Sequence, residues 1–180
     1  NDILGAAEAP LTVIQFLDYQ SPHSKRAQPV LSQILDDYGP LVRLVARDNP
    51  LSFHRNARQA ALAAECARVA AVFWPYHDRL LQGQDRLDTA GLAGSAAALG
   101  LEEASFAACL NDAATLGALK EDLAAAARLG AHVPPLQVGH LARAAALRAG
   151  ADGELGQADG PLAFERQQRA PGPGERAVEE

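Results

Sequence analysis

Leu11-Thr12-Val13-Ile14-Gln15-Phe16-Leu17 stands four residues ahead of Ser21-Pro22-His23-Ser24, and this stretch decides the fold. The first seven residues are apolar and rich in β-branched side chains, the pattern of a short buried strand. Ser21 is a favoured helix N-cap, and Pro22 is preorganised for the first helical turn. The helix that follows carries Val30, Leu31, Ile34 and Leu35 on one face and stops near Gly39-Pro40. Leu41 to Ala46 is a second apolar run. Strand, helix and strand with a short return predict a parallel βαβ unit.

Downstream the periodicity becomes helix after helix. The spacing predicts helices over Arg55 to Val72, Phe73 to Leu81, Asp88 to Leu99, Glu102 to Leu110 and Ala113 to Leu129. They form an insertion packed on one side of a small sheet. Leu136 to Val138 starts a strand, and His140 to Arg148 reads equally as helix or strand. Asp152-Gly153 marks a hairpin turn. Pro161 to Gln168 reads as a closing helix, and residues 170–180 as a disordered tail.

Composition narrows the function classes. Alanine is abundant and only 5% of residues are aromatic, so much of the core is expected to be helix on helix. The net charge of −6, with no basic block, argues against nucleic acid as the main partner. The most apolar region, Ala60 to Phe73, is broken by Glu65 and Arg68. It falls short of the roughly 18 residues a membrane span needs, so direct insertion is not expected. The chain has no methionine, which implies a processed N-terminus or a piece of a longer protein. Cys66 and Cys109 form no Cys-x-x-Cys pair. The five histidines are scattered, so neither a metal nor a cofactor is expected. His54 and His77 read as buried residues bonded to backbone, His132 and His140 as loop residues, and Trp74 as core.

Several segments together resemble the DsbA-like branch of the thioredoxin superfamily. Ala9-Pro10 through Gln20 resembles that family's first core strand and its approach to the active site. Ser21-Pro22-His23-Ser24 falls where the family carries Cys-Pro-His-Cys or a variant. Val42 through Ala57, with Pro50-Leu51-Ser52-Phe53-His54, resembles the strand and loop before the insertion. Phe73-Trp74-Pro75-Tyr76-His77-Asp78 resembles Phe-Trp-x-Tyr-His-Asp. The resemblance implies an α/β thioredoxin fold, a small mixed sheet flanked by helices, with a helical insertion. It implies a domain over 1–169: an N-terminal βαβ unit at 5–53, the insertion at 54–130, and closing strands and helix at 131–169. Pro135 falls in register with the family's cis-proline and Pro134 replaces the preceding threonine, so the two border the implied substrate groove. The Ala/Arg-rich stretch from His140 to Gly150 departs from the family.

The family's chemistry needs a thiolate at the helix N-terminus and a second sulfur to close the disulfide. A serine hydroxyl stays protonated near neutral pH and makes no S–S bond. As written, no catalytic residue is expected. Ser21 reads as an N-cap, and His23 as a relic of thiolate tuning or an exposed helix-start residue. A serine hydrolase is disfavoured, because His23 is poorly placed as a base and no Gly-x-Ser-x-Gly elbow exists. Cys66 and Cys109 are either two buried thiols or one structural disulfide, the latter favoured because the family is mostly exported. Three functional readings remain. The first is a redox-inactive domain whose groove holds extended or unfolded polypeptide. The second is a thiol–disulfide oxidoreductase represented in a Cys-to-Ser form. The third is an accessory domain of a larger exported or membrane-tethered protein. All three imply a periplasmic or other extracytoplasmic location.

Overall fold

The computed structural model describes residues 3–131 and the backbone of residues 147–148. Strand β1 (Ile3–Gly5) leads into β2 (Leu11–Leu17), α1 (Pro22–Tyr38), a 3-10 turn (Gly39–Leu41) and β3 (Val42–Asp48). The insertion holds α2 (Ala57–Val69), α3 (Phe73–Gln82), α4 (Thr89–Ala97), α5 (Glu103–Cys109) and α6 (Ala113–Arg128). A two-residue strand, β4 (Leu147–Arg148), completes a mixed sheet of order β1-β3-β2-β4. Strands β2 and β3 are parallel, with Leu11 opposite Val42 and Leu17 opposite Asp48. β1 runs antiparallel to β3, and β4 antiparallel to β2. The chain therefore has the α/β fold with a helical insertion that its periodicity predicts.

The differences have physical reasons. β1 is too short to show a period, so the sequence reading passes over it. Its end is set by Gly5, whose φ of +101° suits glycine, and a Cβ there would lie 2.7 Å from the Val42 carbonyl oxygen. β3 runs two residues beyond Ala46, to Asp48, because polar residues at its end are held from another helix. On α1 only Leu31 is fully buried, and Val30, at the margin of the apolar stripe, is 49% exposed. The cis-proline register at Pro134-Pro135, His132, His140, the Asp152-Gly153 hairpin, the closing helix and the tail all lie outside the described residues.

The main core joins the ends of β2 and β3 to the insertion. Leu17, Tyr19 and Ala46 meet Ala60, Ala63, Ala64 and Ala67 of α2, with Phe73, Tyr76 and Leu80 of α3 and Phe106 of α5. Alanine on α2 lets neighbouring helices approach closely, so the low aromatic content still closes a dense core. The sheet ends that precede α1 are thus clamped by the insertion, and that clamp positions the site.

Candidate functional site

The site grows from the turn between β2 and α1. Ser21 has extended backbone, and its Oγ accepts the His23 N–H at 3.3 Å, so it caps α1 as its sequence position predicts. Ser24 sits one turn on, and its Oγ accepts the backbone N–H of Asp18 at 3.0 Å. Both hydroxyls of the Ser-Pro-His-Ser segment are therefore engaged by their own chain. His23 is exposed, and its Nδ1 accepts from Arg26 Nη2 at 3.0 Å. Among the described residues no base contacts Ser21 Oγ, so the hydrolase arrangement is not built.

Asp18 is the hub, and sequence reasoning passed over it as a site residue. It is 4% exposed. One carboxylate oxygen accepts the Gln20 N–H at 2.7 Å; the other accepts the Leu51 N–H at 2.7 Å and His54 Nδ1 at 2.8 Å. Its carbonyl takes the Ser21 N–H at 3.0 Å. One residue thus orients the helix start and the loop after β3. The signal available in the sequence was the Asp at the head of a turn, where its side chain bonds the N–H two residues on. His54 is held by this carboxylate and His77 by two side chains, which corrects the expectation that both bond to backbone. The loop after β3 brings the His54 ring within 2.8 Å of the Asp18 carboxylate, a side chain 36 residues earlier that no local pattern announces.

A second network ties the insertion to the site. His77 is fully buried. The carbonyl oxygen of the Gln28 side chain stands 3.3 Å from its Nε2 and can only accept, so Nε2 carries the proton. Nδ1 then accepts from the Tyr19 hydroxyl at 3.1 Å. Gln28 Nε2 continues the chain to the Ser24 carbonyl at 3.0 Å. From the other side, Gln84 Nε2 donates to the carbonyls of Tyr19 and Ser21 at 2.7 and 2.9 Å. Burial first, and the Arg68 charge second, push His77 down to about 4. Burial holds the Tyr19 hydroxyl well above its usual range, so it stays a donor.

Between about pH 4 and 6.5 the unfolded chain protonates His77 and the folded chain refuses the proton. His77 therefore contributes stability above the ordinary histidine value, and that contribution is lost as pH falls toward 4. The span is worth roughly 3 kcal/mol. Asp48 acts oppositely: burial raises its carboxyl well above the usual range, so its contribution falls as pH rises. Comparing the parent with His77→Gln in urea denaturation cancels Asp48. The cost of the substitution is expected to shrink by most of that amount from pH 7 to pH 4; a cost independent of pH would show that His77 titrates normally.

The clamp extends to α6. Asp122 is buried and accepts Arg47 Nη1 and the Asp48 N–H, both at 2.8 Å. Asn49 Nδ2 reaches the Ala131 carbonyl at 2.9 Å. Between these supports lies a small cleft of about 40 Å³, walled by Gln15, Asp18, Ser21, Ser24, Asn49 and Leu51. Gln15 is 1% exposed, and its Oε1 has no hydrogen-bond partner among the described residues. Phe53, on the adjoining loop, is 65% exposed. Pro134 and Pro135, expected at the groove's edge, are outside the described residues. Trp74 packs on Phe73 and His77 with ring centroids 5.0 and 5.2 Å apart, as a core residue. Cys66 and Cys109 are not brought to the cleft. They are bonded to each other, with Cα atoms 5.9 Å apart, and tie α2 to α5. No group of three or more metal-ligating side chains gathers among the described residues.

The family model named Thioredoxin matches residues 1–145. Among solved structures, a thioredoxin-like oxidoreductase from Silicibacter pomeroyi DSS-3 superposes with a TM-score of 0.65 at 27% identity, covering 71% of this chain and 73% of that one. Pseudomonas aeruginosa DsbA2 gives 0.59 at 26% identity, covering 72% and 73%. The chain is a DsbA-like member of the thioredoxin superfamily. The curated relatives of this DsbA-like chain are longer proteins. It is 38% identical to the Na(+)/H(+) antiporter NhaA 3 of Salinispora tropica over 69% of its own length and 19% of that protein's. With the Na(+)/H(+) antiporter NhaA of Herminiimonas arsenicoxydans the figures are 32%, 74% and 21%. The chain spans about a fifth of the length of these curated relatives. Among its described residues, no helix is long and apolar enough to cross a membrane.

Proposed function

We propose that this DsbA-like domain carries out no thiol–disulfide exchange at residues 21–24 and binds extended polypeptide at the cleft beside α1. The observation that carries the reading is the pair of engaged hydroxyls, Ser21 capping α1 and Ser24 holding the Asp18 N–H, where the family places sulfur. Exchange needs a thiolate that attacks and a second thiol that resolves. A hydroxyl supplies neither. The intact support around the cleft favours a retained binding role, and exposed Phe53 offers an apolar contact beside it. The bonded pair Cys66–Cys109 lies elsewhere, with Cys66 only 3% exposed, which favours a structural bond.

Binding is tested by fluorescence anisotropy with cysteine-free, fluorescein-labelled extended peptides. Saturable binding, weakened about tenfold by Phe53→Ser, is expected. No binding to any peptide of a panel of mixed sequence would overturn the reading.

A second reading is favoured by the antiporter relatives. We infer that the domain belongs to a larger membrane-bound polypeptide and works outside the cytoplasm. Immunoblotting of the native protein against its own sequence should show a species several times the mass of this chain, in the membrane fraction. A soluble species of this chain's mass would refute it.

A further inference from the structure

Gln15 interrupts the apolar run of β2, opposite Ala46 of β3. It is 1% exposed, and its side-chain oxygen has no hydrogen-bond partner among the described residues. A buried acceptor left unpaired is costly, and leucine or methionine would fill that place without the cost. Packing therefore does not account for an amide there. Its position does, because Gln15 walls the cleft at the N-terminus of α1.

The other polar groups of that wall have bonding capacity left. Ser21 and Ser24 each accept one backbone N–H, and each keeps its own hydroxyl proton to donate. Asn49 commits Nδ2 to the Ala131 carbonyl, which leaves its Oδ1 as an acceptor. The cleft thus offers acceptors and donors together. Charge narrows the occupant. The Asp18 carboxylate on one wall opposes an anion, and the positive end of the 17-residue helix α1 opposes a cation. Asp18 offers a cation little in return, because its two oxygens already hold the N–H groups of Gln20, Leu51 and His54. What fits is a neutral group that both donates and accepts. Size narrows it further. Roughly 10–15 Å³ holds one water, so a cleft of about 40 Å³ admits a group of about three non-hydrogen atoms and no aromatic ring.

We infer that the cleft takes the side-chain carboxamide of an asparagine or glutamine in the bound polypeptide. Its N–H groups donate to Gln15 Oε1 and Asn49 Oδ1, and its carbonyl accepts from the hydroxyl of Ser21 or Ser24. The carbon, oxygen and nitrogen of that group match the size of the cleft. The inference rests on the polypeptide-binding proposal and names the side chain that the cleft selects.

The test measures anisotropy with labelled, cysteine-free peptides of serine and leucine in which one central residue is asparagine, glutamine, leucine, aspartate or lysine. With the unaltered chain, the better of the two amide peptides is expected to bind about tenfold more tightly than the leucine, aspartate and lysine forms. Gln15→Met, close in shape but lacking the oxygen, should lose that preference. Arg128→Gln, exposed on α6, should keep it. Equal binding of the amide and leucine peptides by the unaltered chain would overturn this inference while the polypeptide-binding proposal stood. So would tighter binding of the aspartate or lysine form, or a full amide preference in Gln15→Met. No binding of any of the five peptides would overturn both.

Discussion

Replacing both cysteines, as Cys66→Ala/Cys109→Ala, is expected to lower the unfolding free energy by about 4 kcal/mol, the chain-entropy value for a loop of this length. The bond spans a sequence separation of 43 and encloses α3, α4 and most of α5. Without it the unfolded chain regains that loop's freedom. The native side also loses. α5 has seven residues, too few to be stable alone, and is held by Phe106 in the core and by the sulfur bridge. Cys66 lies within the alanine-rich layer of α2, where truncation leaves a gap beside Phe106 and Phe73. Replacing both residues avoids a lone thiol. In a domain of this size the loss corresponds to a fall in Tm of roughly 8–16 °C. Urea denaturation of parent and variant at pH 7 measures it. A loss below about 1 kcal/mol would show that helix packing alone holds α5.

The second large effect is a gain. Ser21→Cys/Ser24→Cys is expected to convert the chain from no measurable catalysis of insulin reduction to clear turnover. A sulfur at 21 would stand at the N-terminus of a 17-residue helix, where the dipole favours thiolate. His23 is two residues on, and no carboxylate precedes it in the first turn to oppose the thiolate. Position 24 already faces the Asp18 N–H, which would hold its side chain on the same side of the helix start. The network from His77 through Gln28 to the Ser24 carbonyl is untouched by either change. A new bridge between 21 and 24 should make the oxidised variant lighter by two hydrogens in the peptide that holds both. If the bridge forms without turnover, the defect lies in the substrate groove, beyond the helix start. If it does not form, the geometry at α1 has departed from what a dithiol needs.

Most of the fold was legible because its signals are local. Ser21-Pro22 marks a helix start, Gly39-Pro40 its end, and Asp88 caps α4 through its side chain; the Asp112 cap of α6 was passed over. Alanine at helical spacing announced a layer of helices. β1 was illegible, since three residues carry no period and its place depends on Gly5 fitting against Val42. The site was legible only as a place. That Ser21 begins a helix follows from its type, but that Asp18 gathers Gln20, Leu51 and His54 is a tertiary fact. So is the path from Tyr19 through His77 to Gln28, whose members stand far apart in sequence. A buried histidine bonded by side chains looks, in sequence, the same as one bonded by backbone.

The account stands or falls on whether this chain exchanges disulfides. The direct measurement is insulin reduction by the unaltered chain with dithiothreitol as electron source, read as turbidity against a protein-free control. The account predicts a rate equal to the control. A rate well above it, lost in Cys66→Ala/Cys109→Ala, would contradict the account by showing that the chain's own sulfurs carry the activity.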